Sequence, residues 1–318
     1  MNIVVDKARI AQEISELKKK RNAIILAHYY QIDEVQEIAD FIGDSLALAQ
    51  EAAKTQADVI VFAGVHFMAE TAKIICPDKK VLLPDLEAGC SLADSCPEDA
   101  FEAFVKSHPD HTVVSYVNTT AKIKALSDII CTSSNAYEIV NSIPEGEKII
   151  FGPDRNLGDY IKSKTGRDML IWNGHCHVHQ RFSLDKILQL KKENPNAKII
   201  AHPECDKPVL IISDFIGSTA ALLQYTIKDA SNTYIVATES GILHQMKKEN
   251  PSKNFIPAPP NDSTCACNDC QFMKMNDLNK ILNSLKNDTY EITLEKELMD
   301  KARKPIMRML EISKNIKK

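Results

Sequence analysis

The sequence predicts an α/β fold built three times over: three pseudo-threefold-related α/β/α domains, each with a short parallel sheet. Three observations predict it. First, Asp40-Phe41-Ile42-Gly43-Asp44-Ser45, Asp128-Ile129-Ile130-Cys131-Thr132-Ser133 and Asp214-Phe215-Ile216-Gly217-Ser218-Thr219 are near copies, with 88 residues from Asp44 to Thr132 and 86 from Thr132 to Ser218. Second, the same two offsets separate His28, Tyr116 and His202, each directly after a short apolar strand. Two landmarks that share their offsets mark an internal repeat. Third, apolar β-branched runs of four or five residues alternate with helical periodicity, the pattern of a parallel sheet covered on both faces.

Each copy reads the same way along the chain. In the first, Ala23-Ile24-Ile25-Leu26-Ala27 is a strand, followed by a short helix and a second strand at Phe41-Ile42-Gly43. A helix from Ser45 to Lys54, with small or apolar residues at Leu46, Ala49 and Ala53, precedes a buried strand from Asp58 to Ala63. Another helix leads to a last strand from Lys80 to Leu83. The second copy places its strands at Thr112–Ser115, after Asp128, at Lys148–Gly152 and at Asp168–Ile171. The third places them at Lys198–Ala201, after Asp214, at Thr233–Ala237 and at Asn254–Ile256. The repeat therefore covers 22–90, 111–176 and 197–270, and the expected domains are 1–90, 91–176 and 177–275. The segment 276–318 holds two helical patterns around a strand-like Tyr290-Glu291-Ile292-Thr293-Leu294, and is expected to pack back on the first unit with the N-terminal helix.

Composition narrows the function. The 318 residues are 44% hydrophobic and 26% charged, an ordinary folded mixture. A net charge of −4 gives no basic surface for nucleic acid. No apolar run approaches the roughly 20 residues of a membrane span, and the charged, amphipathic first twenty residues have no signal-peptide core, so a cytoplasmic enzyme is expected. Reduced thiols are the rule there, so nine cysteines point to metal or catalysis before disulfides. The plainer reading, small buried apolar residues, suits Cys131.

Ligands of parallel sheets bind beyond the carboxyl ends of the strands. His28 and Tyr30, Tyr116 and Asn118, and His202 and Glu204 lie there, each pair alternating so that both residues leave the strand on one side. The second strands end in Asp44-Ser45, Thr132-Ser133 and Ser218-Thr219, directly before predicted helices. These are ordinary N-caps on the plain reading. Three helix N-termini around one axis would also hold a small polyanion.

Each unit ends in a cysteine: Cys90, Cys176 at the repeat offset of 86, and Cys270 a further 94 residues on. Three cysteines so distant in sequence meet only on the pseudo-threefold axis, which suits one face of a metal cluster. A Cys₃ set leaves one iron of a 4Fe–4S cluster without a protein ligand, free to act as a Lewis acid. Zinc is the competing metal, because Cys265-x-Cys267-x-x-Cys270 resembles half a zinc site. It has no partner motif nearby, and it leaves Cys90 and Cys176 unexplained.

On these residues the chain resembles the quinolinate synthases, the A proteins of de novo NAD biosynthesis. The matching motifs are Ile24-Ile25-Leu26-Ala27-His28-Tyr29-Tyr30-Gln31, Ile38-Ala39-Asp40-Phe41-Ile42-Gly43-Asp44-Ser45, Tyr116-Val117-Asn118-Thr119, Phe151-Gly152-Pro153-Asp154-Arg155-Asn156-Leu157-Gly158, Asn173-Gly174-His175-Cys176, His202-Pro203-Glu204-Cys205, Gly217-Ser218-Thr219 and Cys270-Gln271-Phe272-Met273-Lys274-Met275-Asn276. The resemblance implies three α/β domains around a 4Fe–4S cluster held by Cys90, Cys176 and Cys270. It implies a transferase reaction that condenses iminoaspartate with dihydroxyacetone phosphate to quinolinate, phosphate and water. It implies substrate contacts from His28, Tyr30, Ser45, Tyr116, Asn118, Ser133, His202, Glu204, Ser218 and Thr219. An L-aspartate oxidase or dehydrogenase is the implied source of iminoaspartate. Within this set Glu204 and Tyr30 are assigned to proton transfer, and His28 and His202 mainly to anion binding. Two positions depart from relatives. Cys267 is open as an alternative ligand or as a disulfide partner of Cys265, and His177 stands where some relatives have proline. The competing functions are an aconitase-like hydro-lyase, which needs no phosphate-binding residues, and an iron–sulfur sensor, which needs an output surface such as a basic DNA-reading helix.

Overall fold

In the computed structural model, which describes residues 3–261 and 269–314, the strands form three four-stranded parallel sheets. The first contains β1 (Ala23–His28), β2 (Phe41–Gly43), β3 (Val59–Ala63) and β4 (Lys80–Leu82). The second contains β5 (His111–Tyr116), β6 (Ile129–Cys131), β7 (Lys148–Gly152) and β8 (Met169–Ile171). The third contains β9 (Lys198–Ala201), β10 (Phe215–Ile216), β11 (Thr233–Ala237) and β12 (Asn254–Pro257). The orders β2-β1-β3-β4, β6-β5-β7-β8 and β10-β9-β11-β12 are one topology repeated, as the sequence repeat predicts.

One aspartate per copy explains part of that repetition. The carboxylates of Asp40, Asp128 and Asp214 accept the backbone N–H of Ile25, Val113 and Ile199 at 2.8, 2.8 and 2.7 Å. Each pins the chain entering the second strand beside the first, and so sets their register. Ile25, Leu26 and Ala27 of β1 and Ile60 and Val61 of β3 are fully buried, as strands covered on both faces must be.

The C-terminal segment does more than pack back on the first unit. The helix Leu278–Asn287 does so: Leu278, Ile281, Leu282 and Leu285 share a core with Ile10 and Ile14 of the N-terminal helix and with β1 and β3. The last helix, Lys296–Ser313, crosses to the second unit. Its Arg303 Nη1 donates to Ile75 O at 2.9 Å, and its Ser313 Oγ accepts from Asn135 Nδ2 at 2.8 Å. The Tyr290–Leu294 stretch is not a strand. It meets the first sheet through one antiparallel bridge, Leu82 to Glu291, flanked by Leu83 N–H to Tyr290 O (3.0 Å) and Ile292 N–H to Val81 O (2.9 Å). No helix of the described residues is long and apolar enough to cross a membrane.

Candidate active site

The carboxyl ends of the three sheets open on one cavity. Its wall carries His28, Tyr30 and Ser45 from the first unit, Tyr116, Asn118 and Ser133 from the second, and His202, Glu204 and Thr219 from the third, with Cys90, Cys176 and Cys270. The cavity they enclose is tight, about 60 Å³. Ser218 is the exception among the sequence-predicted residues. It does not line the cavity; its Oγ caps the helix Thr219–Lys228 by accepting Ala221 N–H at 3.3 Å.

The predicted ring of three helix N-termini is reduced to two. Ser45 and Thr219 open ten-residue helices, but the helix after Ser133 begins only at Ala136. Asn135 is the cause: its Oδ1 takes the Thr132 N–H at 2.6 Å and folds a turn where the other copies are already helical. Beneath the cavity Ser134 Oγ bonds both Asp44 Oδ2 (2.5 Å) and Ser218 Oγ (2.7 Å), so the three copies are joined there by hydrogen bonds.

The two strand-end histidines carry their protons in matching ways. His28 Nδ1 accepts the Tyr30 N–H at 3.2 Å, and His202 Nδ1 accepts the Glu204 N–H at 3.4 Å. With Nδ1 occupied as an acceptor, each neutral ring holds its proton on Nε2, and His202 Nε2 reaches Ser133 Oγ at 3.1 Å. Burial holds both imidazoles neutral, with pKa values lowered to about 3. They therefore meet an anion as hydrogen-bond donors rather than as cations. Asn118 Oδ1 is buried without a hydrogen-bond partner among the described residues, a polar atom awaiting a ligand.

A line of polar groups joins Glu204 to Tyr30. Tyr116 O–H donates to Glu204 Oε1 at 2.6 Å, and His179 Nδ1 approaches Glu204 Oε2 at 3.1 Å, too obliquely for a formed hydrogen bond. His179 Nε2 lies 3.0 Å from Thr238 Oγ1, which lies 2.7 Å from the Tyr30 hydroxyl; Thr219 Oγ1 completes the line at 2.9 Å. Burial works against the Glu204 carboxylate, but the neighbouring His179 and the bond from Tyr116 outweigh it and favour the carboxylate. Burial drives the Tyr30 and Tyr116 phenols well above their ordinary range, so both stay protonated. The site thus sets a buried base beside buried phenolic acids.

His179, Thr238 and Glu239 are site residues that the sequence reading did not single out. Glu239 lies just past the end of β11, where the strand-end rule applied to β1, β5 and β9 would also have found it and Thr238. His179 lies three residues after Cys176, and only its position in space distinguishes it from His175 and His177.

Cys90, Cys176 and Cys270 are free, half-buried thiols on the cavity wall. Burial pushes the thiols of Cys90 up to about 12 and Cys270 up to about 11, and that of Cys176 well above its ordinary value. Thiolates there need a bound cation, and three sulfur donors facing one space fit an iron–sulfur group. Cys265 and Cys267 lie outside the described residues. His177 Nδ1 lies 2.5 Å from Ser91 Oγ, beside Cys90.

The Cys176 loop leaves no room for a side chain at Gly174, where a Cβ would meet Pro153 O at 2.5 Å and also Ser95 Oγ. Gly174→Ala is expected to lower stability by about 1–3 kcal/mol, the scale of overpacking. A denaturant unfolding midpoint checks this.

Three parallel α/β units that bring imidazole, phenol, carboxylate and three thiols to one cavity define an α/β enzyme for a small polar molecule, with a donor set that fits a bound metal. The family described as quinolinate synthetase A protein matches residues 12–311, and the chain belongs to it. It is 62% identical over 300 residues to the quinolinate synthase of Trichormus variabilis, covering 94% of this chain and 92% of that one. It is 59% identical over 300 residues to that of Thermosynechococcus vestitus, covering 94% of each chain. With that of Chloroherpeton thalassium it shares 57% identity over 303 residues, covering 95% of this chain and 94% of the relative.

Proposed function

We propose that the protein condenses iminoaspartate with dihydroxyacetone phosphate to give quinolinate, phosphate and water, using a 4Fe–4S cluster on Cys90, Cys176 and Cys270. The observation that carries the reading is the meeting of one thiol from each unit on the wall that also holds Glu204, Tyr30 and the two neutral imidazoles. Family membership supports the reaction. The cluster, when bound, supplies an iron with an open position that eases loss of a hydroxyl as water. The chain's own residues do the rest. Ser45 and Thr219, at helix starts, with Ser133 and Asn118, hold the phosphate and carboxylates. His28 and His202 donate Nε2–H to substrate oxygens. Glu204 removes a proton and Tyr30 returns one, with His179 and Thr238 between them. Ser218 is left to its helix cap. An L-aspartate oxidase or dehydrogenase is the proposed source of iminoaspartate, and we place the work in the cytoplasm, where thiols stay reduced.

One observation favours a second metal. Ligand atoms of Cys176, His179 and Glu204 lie within 4.8 Å of one another, a mixed donor set that would suit zinc. Glu204 is already engaged by Tyr116, and the mixed set gives Cys90 and Cys270 no role. Anaerobic protein is expected to hold about four irons per chain, to consume dihydroxyacetone phosphate, and to lose colour and activity in air. Full activity in colourless protein loaded only with zinc would end the cluster reading. Dehydration of a hydroxy acid without consumption of dihydroxyacetone phosphate would favour a hydro-lyase.

A further inference from the structure

Glu239 is a carboxylate on the cavity wall, only 1% exposed, that no step above uses. The sheet registers show how unusual its position is. Ala27 pairs with Ala63, Ser115 with Gly152 and Ala201 with Ala237, so the residues two beyond are Val65, Asp154 and Glu239. The first copy fills this position with a buried apolar side chain. The second spends Asp154 on capping its helix, where Oδ1 accepts Leu157 N–H at 2.7 Å. The third aims its carboxylate at a cysteine: Glu239 Oε1 accepts the Cys270 N–H at 3.0 Å, while Oε2 accepts Gly241 N–H at 2.7 Å.

The grip extends across the molecule. Lys274 Nζ lies 2.9 Å from Glu239 Oε1 and donates to Tyr30 O at 2.8 Å. Gly241 packs so closely on the first unit that a Cβ there would meet Tyr30 Cα at 2.8 Å, and its carbonyl accepts Gln36 Nε2 at 3.0 Å. One buried carboxylate thus holds the amide of a cluster-ligand candidate on one side and, through Lys274, the backbone of Tyr30 on the other. The Cys90 loop has a backbone anchor instead, His66 N–H to Ala88 O at 2.8 Å.

We propose that Glu239 is a positioning residue that fixes Cys270 for cluster binding and, through Lys274, ties that loop to Tyr30. The inference rests on the cluster reading above. A carboxylate bonded to the amide of a ligand residue restricts where its sulfur can sit, and loss of such an outer partner typically costs about 10- to 100-fold in metal affinity.

The test compares anaerobically reconstituted wild type, Glu239→Ala, Glu239→Gln, Lys274→Met and the double variant Glu239→Val with Lys274→Met. Bound iron, the rate of iron loss to excess chelator and steady-state kinetics are measured. The double variant puts the first copy's residue type at the position and leaves no lone buried charge, so it guards against a variant that fails to fold. Glu239→Ala and the double variant are expected to release iron about 10- to 100-fold faster than wild type. Glu239→Gln, whose Oε1 still accepts the Cys270 N–H, should recover most of that loss. Lys274→Met should keep its iron while kcat falls and KM changes little, because only the tie to Tyr30 is cut. Wild-type iron retention in the double variant, or Glu239→Gln releasing iron as fast as Glu239→Ala, would overturn the inference alone. Wild-type protein that takes up no iron overturns the cluster reading and this inference together.

Discussion

Cys90→Ser, Cys176→Ser and Cys270→Ser should each abolish cluster binding and with it turnover. Each cysteine comes from a different unit, and each faces the one cavity that all three units share. Serine keeps the size but offers a hard oxygen whose proton is lost far less readily than that of a thiol, and iron–sulfur groups select thiolate. Among the described residues no second thiol lines the cavity to replace the lost one. Cys76 is buried with its Sγ 3.0 Å from Ala52 O, and Cys96 is buried in the Phe101 core, so Cys76→Ser and Cys96→Ser should retain a full cluster. Iron analysis and the visible absorption of anaerobic protein read the result. Cys267 is the informative control, since it lies outside the described residues. A Cys267→Ser protein without cluster, beside a Cys270→Ser protein that keeps it, would move the third ligand by three residues.

Glu204→Gln and Tyr30→Phe should each lower turnover by roughly 10²-fold or more, the scale of a lost general base or acid, with iron content unchanged. Both substitutions keep most of the side-chain volume, so the cavity survives. Glu204→Gln replaces a carboxylate that accepts the Tyr116 hydroxyl at 2.6 Å with a group that cannot take a proton at neutral pH. Tyr30→Phe removes the hydroxyl between Thr219 and Thr238 and so cuts the line to His179. Substrate binding should weaken only modestly, because Ser45, Ser133 and Thr219 remain on the wall. Steady-state kinetics beside iron analysis decide it. Near-normal turnover with a full cluster would move proton transfer to His28 or His202.

How far the site was legible in the sequence depends on how local its signals are. The strand-end pairs His28 and Tyr30, Tyr116 and Asn118, and His202 and Glu204 could be found because a strand alternates its side chains and because the repeat lines the pairs up at fixed offsets. Glu239 escaped because its equivalents are Val65 and Asp154, so no shared residue type marks the position. His179 escaped because it lies on the connection after Cys176, outside the aligned strands, and meets Glu204 only through space.

The sequence by itself determined the threefold repeat, the four parallel strands of each copy and the three cysteines at the ends of the copies. Those features follow from apolar periodicity within a few residues and from similar residues at constant offsets. Only the tertiary structure decided that the second copy's helix starts late, because the Asn135 side chain that folds its opening turn also bonds Ser313, 178 residues further along the chain. It alone decided that Tyr290–Leu294 is an edge contact rather than a strand, that the last helix crosses to the second unit, and that Ser218 serves a helix while Thr219 faces the cavity. Each of these depends on which distant side chain arrives to satisfy a hydrogen bond or fill a surface, and local pattern carries no record of that arrival.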